Sequence, residues 1–374
     1  MTDPCHLSIA DAGRLFRAGA LSPVELTEAF LRRIEKLDPQ FHAYITVSAD
    51  RARAEATQAE ADFAAGRDRG PMQGIPYGLK DLIDTAGIAT TSNSRLDAER
   101  IPAADAVPVS KLRDAGAVLL GKHSCHEFAG NGPCFDLPWP PARNPWNLEH
   151  NPGGSSTGSG AAIAAGLAMA ALGTDVGGSV RNPASFCGGT GIKATYGRVS
   201  RRGTVASGWT LDHAGPLAWT VEDCAIVLGA ISGYDSEDPG SADEPVPDFT
   251  AGLGKSLKGL RIGWLRAQYE EEFPANEEVR AAVVEVVAVM RRLGATVEET
   301  TLPPLLDYLD CRRVIGAAEF YAIHERDFRE RPDKFGRMIR LRSGIGATIR
   351  AVDYIQAQRK RLSLIRETDQ VLAR

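Results

Sequence analysis

Two serine-bearing turns constrain this chain more than any other feature of it. Asn151 to Ala162 reads NPGGSSTGSGAA and Gly173 to Gly188 reads GTDVGGSVRNPASFCG, and in each a serine, Ser155 or Ser179, directly follows a Gly-Gly pair. Between them AAIAAGLAMAAL, Ala161 to Leu172, carries almost only small apolar side chains. The run is too short to span a bilayer, which needs roughly 20 apolar residues, so it reads as a buried helix, with MAALGTD as strand at its end. A helix and strand in this order can fold the second Gly-Gly-Ser back onto the first, so that two serines meet on bare backbone.

The surrounding pattern is α/β. Ser22-Pro23 supplies the N-cap and N1 of a helix whose apolar residues Val24, Leu26, Phe30, Ile34 and Leu37 recur at helical spacing. Glu55 to Ala65 and Val109 to Ala115 read as further helices, and IPYGLKDLID and AVLLGK as strands between them. After the loop-like YDSEDPGSADEPVPD, a strand–helix–strand unit is expected from RIGWLRA, Asn276 to Leu293 and TVEETTLP, with Leu305 to Arg374 as a peripheral helical segment. The expected architecture is a single large mixed β-sheet covered on both faces by α-helices, and 374 residues, 43% of them hydrophobic, suffice for a substantial core.

A formal net charge of -5 offers no basic face for nucleic acid or an anionic membrane. The groups Arg337, Arg340, Arg342 and Arg359, Lys360, Arg361 read as solvated helix faces. MTDPCHLSIADAG has no basic stretch followed by an apolar one, which places the protein in the cytoplasm. The cysteines Cys5, Cys125, Cys134, Cys187, Cys224 and Cys311 are scattered without CxxC pairs and are expected as free thiols. His123, Cys125, His126 and Glu127 gather ligand-type side chains, but their spacing fits no common zinc pattern and packing is the better reading. No metal and no cofactor are expected.

The first turn is open to three readings. As a phosphate loop it has Gly153 and Gly158 at the right separation but Ser159 where the phosphate-reaching lysine belongs. As a nucleophile elbow, Gly154 to Gly158 satisfies G-x-S-x-G with Ser156 attacking and Asp212-His213 as later partners. As structure alone it is a helix N-terminus capped by Ser155 or Ser156. Upstream, Lys80 stands among Ile75, Pro76, Tyr77, Gly78, Leu79 and Leu82, where a solvated lysine is out of place unless its stem packs and its head snorkels out.

Together, GIPYGLKDLIDTAGIATTSNS, NPWNLEHNPGGSSTGSGAAIAAG, GTDVGGSVRNPASFCGGTGIKATYGRVS and LDHAGPLAWTVEDCA resemble, in this order and over most of the chain, the amidase signature family of serine hydrolases. The resemblance implies one amidase signature domain over 1–374, its first 70 residues a helical portion packing on the core. It implies Ser179 as acyl-forming nucleophile, Ser155 as bridging serine after a cis peptide bond, and Lys80 as base. Val176, Gly177, Gly178 and Ser179 match the family's oxyanion-hole backbone, and Phe128, Ala129 and Gly130 a segment lining its substrate pocket. The implied activity is hydrolysis of a small-molecule carboxamide, or of an ester or carbamate, without a cofactor; a homodimer stays open. The alternative is a glutaminase-type amidotransferase A subunit that works only inside a complex.

Elementary chemistry makes these assignments coherent. A serine hydroxyl needs a base, and a lysine serves only when neutral, which burial away from carboxylates promotes. Asp81 follows Lys80 but points away from it if the stretch is extended. Bare glycine backbone leaves N–H groups free to meet an oxyanion. Asp175 and Arg181 are expected to pair and hold the second turn, which Asn182-Pro183 ends. Two departures from the family stand out. The chain stops at Arg374, short of the family's usual C-terminal segment, and HEFAGNGPCFDLPWPPARNPWN differs from the corresponding stretch of glutamyl-tRNA amidotransferase A subunits, which counts against the tRNA-dependent reading.

Overall fold

The computed structural model describes residues 3–130 and 132–373. Among the described residues the strands are β1 (Tyr44–Val47), β2 (Pro76–Lys80), β3 (Val118–His123), β4 (Ala170–Thr174), β5 (Thr190–Gly191), β6 (Ala214–Ala218), β7 (Arg261–Trp264) and β8 (Thr296–Glu299). The α-helices are α1 (Ile9–Arg17), α2 (Pro23–Phe41), α3 (Ala49–Ala64), α4 (Val107–Asp114), α5 (Thr157–Ala164), α6 (Arg181–Cys187), α7 (Val221–Ile231), α8 (Glu277–Arg292), α9 (Leu305–Glu330), α10 (Arg337–Ser343) and α11 (Ala351–Leu372). The chain divides into two compact units, residues 1–251 with 319–345 and residues 252–318 with 346–374.

The first unit is built on a six-stranded mixed sheet in the order β1-β3-β2-β4-β6-β5. β2 runs parallel to both β3 and β4, whereas β1, β6 and β5 join antiparallel. Every residue of β2, β3, β4 and β6 is buried, so both faces of the sheet centre are covered, as near-continuous apolar strands require. The N-terminal portion is not purely helical, since β1 is the sheet's edge strand on β3. α2 begins as the sequence demands: Ser22 and Glu25 form a reciprocal capping box with Pro23 at the first turn.

The helix expected from Ala161 to Leu172 is shorter and earlier. α5 spans Thr157–Ala164, and Gly166, at φ +66°, turns the chain so that Ala170 can enter β4. Glycine takes that left-handed conformation without steric cost, which ends the helix where a run of alanines alone would have continued it. The small residues serve close approach: a Cβ on Gly158 would come within 2.2 Å of the Ala43 carbonyl oxygen and 2.6 Å of the Ser124 nitrogen. α5 therefore lies against the chain entering β1 and leaving β3 at a distance no larger side chain permits.

Leu305 to Arg374 is only in part a peripheral segment. Residues 319–345 belong to the first unit, where Phe320, Phe335 and Ile339 form a buried apolar cluster with Phe128 and Cys134. The second unit holds the expected strand–helix–strand, with β7 and β8 parallel across α8 and a small core of Val287, Ala295 and Val297. There the start of α9 meets α11 through Cys311 Sγ to the Ala357 carbonyl at 3.1 Å and the Lys360–Asp307 ion pair at 3.0 Å. Arg374, the expected end of the last helix, lies outside the described residues. Among the described residues no helix is long and apolar enough to cross a membrane, and all six cysteines are free and buried.

Candidate active site

Lys80 and Thr174 are the last residues of neighbouring parallel strands, β2 and β4, with Leu79 in register with Leu172. In open α/β sheets ligand sites gather beyond such carboxyl ends. Lys80 is fully buried, and its Nζ donates to Ser155 Oγ at 2.7 Å and to Thr174 Oγ1 at 2.6 Å. Ser155 is itself buried, after a cis Gly154–Ser155 peptide bond, and its carbonyl accepts the His126 N–H at 3.0 Å. The Gly154 N–H donates to the side-chain Oδ1 of Asn182 at 2.9 Å, and the Ser156 N–H to the Ser179 carbonyl at 3.2 Å, so two hydrogen bonds join the two turns. Asn182 thus does more than close the second turn.

Among the described residues no carboxylate forms an ion pair with Lys80. Asp81, one residue on, faces the opposite way and pairs with the equally buried Lys122 at 3.2 Å, while accepting the Thr91 N–H at 2.9 Å. Burial lowers the Lys80 pKa from 10.5 to about 8 against weaker upward pulls from Cys125, Asp212 and Asp175. At pH 7 about a tenth of such lysines are neutral, against fewer than about one in a thousand for a solvated one.

Asp175 organises the second turn. Its carboxylate accepts N–H groups of Gly178 at 2.6 Å and Val180 at 3.1 Å, and a two-pronged pair from Arg181 at 3.0 Å on each oxygen. Burial opposes its charge, but Arg181, the Gly178 N–H and Lys193 hold its pKa below the usual carboxylate range. The expected oxyanion donors therefore divide. The Gly178 N–H is committed to Asp175 because the carboxylate sits inside the turn, whereas among the described residues the N–H groups of Val176, Gly177 and Ser179 have no acceptor in the protein.

The elbow reading of Ser156 loses its partners. Ser156 is fully buried, with its Oγ 3.4 Å from both the nitrogen and the carbonyl oxygen of Thr174. His213 Nδ1 instead lies 2.7 Å from the Leu211 carbonyl oxygen, and Asp212 accepts N–H groups of Ser207 and Gly208 at 2.9 and 3.1 Å. Ser156 stands at the N-cap of α5 without a side-chain capping bond.

The ring of Phe128 is turned into the apolar cluster, 4.4 Å from the His324 ring, rather than left free to line a pocket. Phe128 and Ala129 both have positive φ, +48° and +57°, and this backbone strain is held by the Phe128 N–H on the Ser92 carbonyl at 3.0 Å and by the buried Glu127. Glu127 accepts from Ser94 Oγ at 2.6 Å and from the Gly336 N–H at 2.9 Å, and burial raises its pKa to about 7. Gly130 lies against Ile339, where a Cβ would meet Cδ1 at 2.3 Å. A cavity of about 380 Å³ opens nearby on His126, Asn93, Cys125, Pro152 and Thr157, but Lys80, Ser155 and Ser179 are not in its wall.

The ligand-type group near β3 does not converge. His123 Nδ1 lies 3.2 Å from Ser159 Oγ and Glu127 is tied to Ser94 and Gly336. Among the described residues no group of three or more His, Cys, Asp or Glu could hold a metal ion. Sequence reasoning missed Thr174, Lys193 and Lys122, and weighed Glu127 only as a ligand-type side chain. Thr174, Lys193 and Lys122 carry no local signal, since each acts on a partner that only the sheet brings to it.

A mixed α/β sheet presenting a buried lysine to a serine turn defines the class, and sequence comparison gives the family. The chain matches the Amidase family over residues 25–374 and belongs to it. It is 48% identical over 316 residues to the A subunit of glutamyl-tRNA(Gln) amidotransferase from Roseiflexus sp. (strain RS-1), covering 84% of this chain and 64% of that relative's length. Among solved structures it superposes with TM-score 0.92 and 36% identity on a chain from a vestigial protein complex bearing on the origins of an s-triazine catabolic enzyme, over 97% of this chain and 79% of that one. The native peptide amidase from Stenotrophomonas maltophilia matches with TM-score 0.82 and 34% identity over 94% and 78% of the two chains. The 48% identity reverses the weight given to the divergent 126–147 stretch, which counted against kinship with the amidotransferase polypeptides.

Proposed function

We propose that this chain cleaves a carboxamide C–N bond through a Ser179 acyl-enzyme, and that it does so as the glutaminase-type A subunit of an amidotransferase. The observation that carries the chemistry is the fully buried Lys80 bonded to hydroxyls alone, Ser155 and Thr174. Neutral Lys80 takes the Ser155 proton while Ser155 takes that of Ser179, whose Oγ attacks the carbonyl carbon. The N–H groups of Val176, Gly177 and Ser179 meet the oxyanion. The relay then runs backwards: the proton passes to the nitrogen of the leaving amine or ammonia, the C–N bond breaks, and water, deprotonated by the same relay, hydrolyses the acyl-enzyme.

The setting rests on the sequence relatives, which carry the name of that amidotransferase component at up to 48% identity. The freestanding amidase is the second reading, favoured by the superposition on the peptide amidase. Labelling by a fluorophosphonate probe and release of ammonia from glutamine test both parts. Ser179→Ala is expected to lose the label and the ammonia, whereas Ser156→Ala keeps most of each. Wild-type-like labelling of Ser179→Ala would overturn the nucleophile. Rapid turnover of simple acyl amides by the chain alone, with glutamine untouched, would replace the amidotransferase reading by the freestanding one.

A further inference from the structure

Lys193 is a half-buried lysine that the chemistry above does not use. β4 and β5 both pair antiparallel with β6, and both chains continue past it towards the same end. The Asp175 N–H bonds the His213 carbonyl at 2.8 Å beyond β4, and the Ile192 N–H bonds the Pro216 carbonyl at 3.1 Å beyond β5. These ladder bonds anchor both strands' exits, and Lys193 reaches across to donate from Nζ to the Val176 carbonyl at 3.1 Å, 3.9 Å from Asp175 Oδ1.

The Val176–Gly177 peptide bond is trans. In a trans peptide the carbonyl and the following N–H point in opposite directions, so a hand on the Val176 oxygen aims the Gly177 N–H away from Lys193. Gly177 is exposed, and its N–H has no acceptor among the described residues. We propose that Lys193 is a positioning residue for the oxyanion hole, fixing the plane of the Val176–Gly177 peptide and polarising its N–H. A carbonyl that accepts from an ammonium makes its own amide a stronger donor. Glycine at 177 has no side chain to hold this plane, so without Lys193 the peptide can rotate and its N–H must be reoriented at each turnover.

The proposal rests on the reading of Ser179 as nucleophile, and one set of measurements separates the two. Lys193→Met leaves the two-pronged Arg181–Asp175 pair in place, so the turn keeps its main tie. Its kcat on an activated amide is expected to fall about 10- to 100-fold, a fraction of what loss of a whole oxyanion donor costs, with KM within about threefold. Fluorophosphonate labelling, which builds a tetrahedral centre in the same hole, is expected to slow by the same factor. Lys193→Arg, which keeps a charged donor, should recover to within about tenfold of wild type. Unchanged kcat and labelling in Lys193→Met, or a loss confined to KM, would overturn the proposal. If the methionine variant does not fold, a folded Lys193→Arg more than about a hundredfold impaired overturns it equally. A wild-type chain that neither labels at Ser179 nor turns over amide overturns the underlying nucleophile assignment, and is recognised because the unsubstituted protein already fails.

Discussion

Two buried lysines stand on adjacent strands of one sheet and face different partners. Lys80, at the end of β2, bonds the hydroxyls of Ser155 and Thr174; Lys122, on β3, lies 3.2 Å from Asp81 and bonds Thr90 Oγ1 at 2.7 Å. Both are fully buried, and burial lowers the pKa of each. Only for Lys122 does a paired carboxylate pull back. Burial alone therefore does not make a lysine a base; what matters is whether the charge it would carry has been given a partner. The two residues also divide a labour, because Lys122 neutralises the one carboxylate that adjoins Lys80 in sequence.

The largest break in this comparison is expected from Lys80→Met. The rate should fall by about 10³-fold or more, at the upper part of the range for a general base, with the protein still folded. The same variant tests linkage. The folded-state pKa of Lys80, about 8, lies below its ordinary 10.5, so between these values the unfolded chain holds the proton that the folded one has lost. Wild-type stability should accordingly rise with pH across that interval and be lost as pH falls towards 8. Denaturant titrations from pH 7.5 to 10.5 should show this rise in the wild type, and a flatter course in Lys80→Met.

Lys122→Met should behave in the reverse manner. It strands Asp81 in the interior, which costs about 3–5 kcal/mol of stability, read as a lower denaturation midpoint, while the molecules that remain folded keep most of their activity. Asp81→Asn in the same chain removes the stranded charge, retains an acceptor for the Thr91 N–H, and should return most of the lost stability. A double variant no better than Lys122→Met would mean that packing, not charge, holds the pair.

The comparison sharpens most finely at Thr174. Its hydroxyl accepts a bond from the Lys80 ammonium, which favours the charged form, so Thr174→Val should lower the Lys80 pKa further. In the wild type kcat/KM should rise with pH through an apparent value of about 8; in the valine variant that limb should move to lower pH, with roughly tenfold loss on the plateau from the poorly held base. A limb that stays in place would show that Thr174 orders the strand end without touching the titration.

Much of this was written in the sequence. The Gly-Gly-Ser repeats, the apolar neighbours of Lys80 and the capping box at Ser22 are local signals, because each depends on what a few successive residues can do with backbone and side chain. The same holds for the alternation that turns Asp81 away from Lys80. The helix expected over Ala161 to Leu172 marks the limit of such signals: alanines suit a helix, and the stop depended on one glycine at Gly166 whose role emerges only when the chain must turn into β4.

What tertiary structure alone decided are the pairings between residues far apart in the chain. Thr174 meets Lys80 because β2 and β4 are parallel neighbours, and Lys122 meets Asp81 because β3 lies on the other side of β2. The commitment of the Gly178 N–H to Asp175, the reach of Lys193 to Val176 and the burial of the Phe128 ring beneath residues 319–345 likewise depend on where the chain returns. Periodicity states which face of a strand a side chain occupies; the order of strands in the sheet states what stands opposite it, and hydrogen bonds and pKa values follow from the latter.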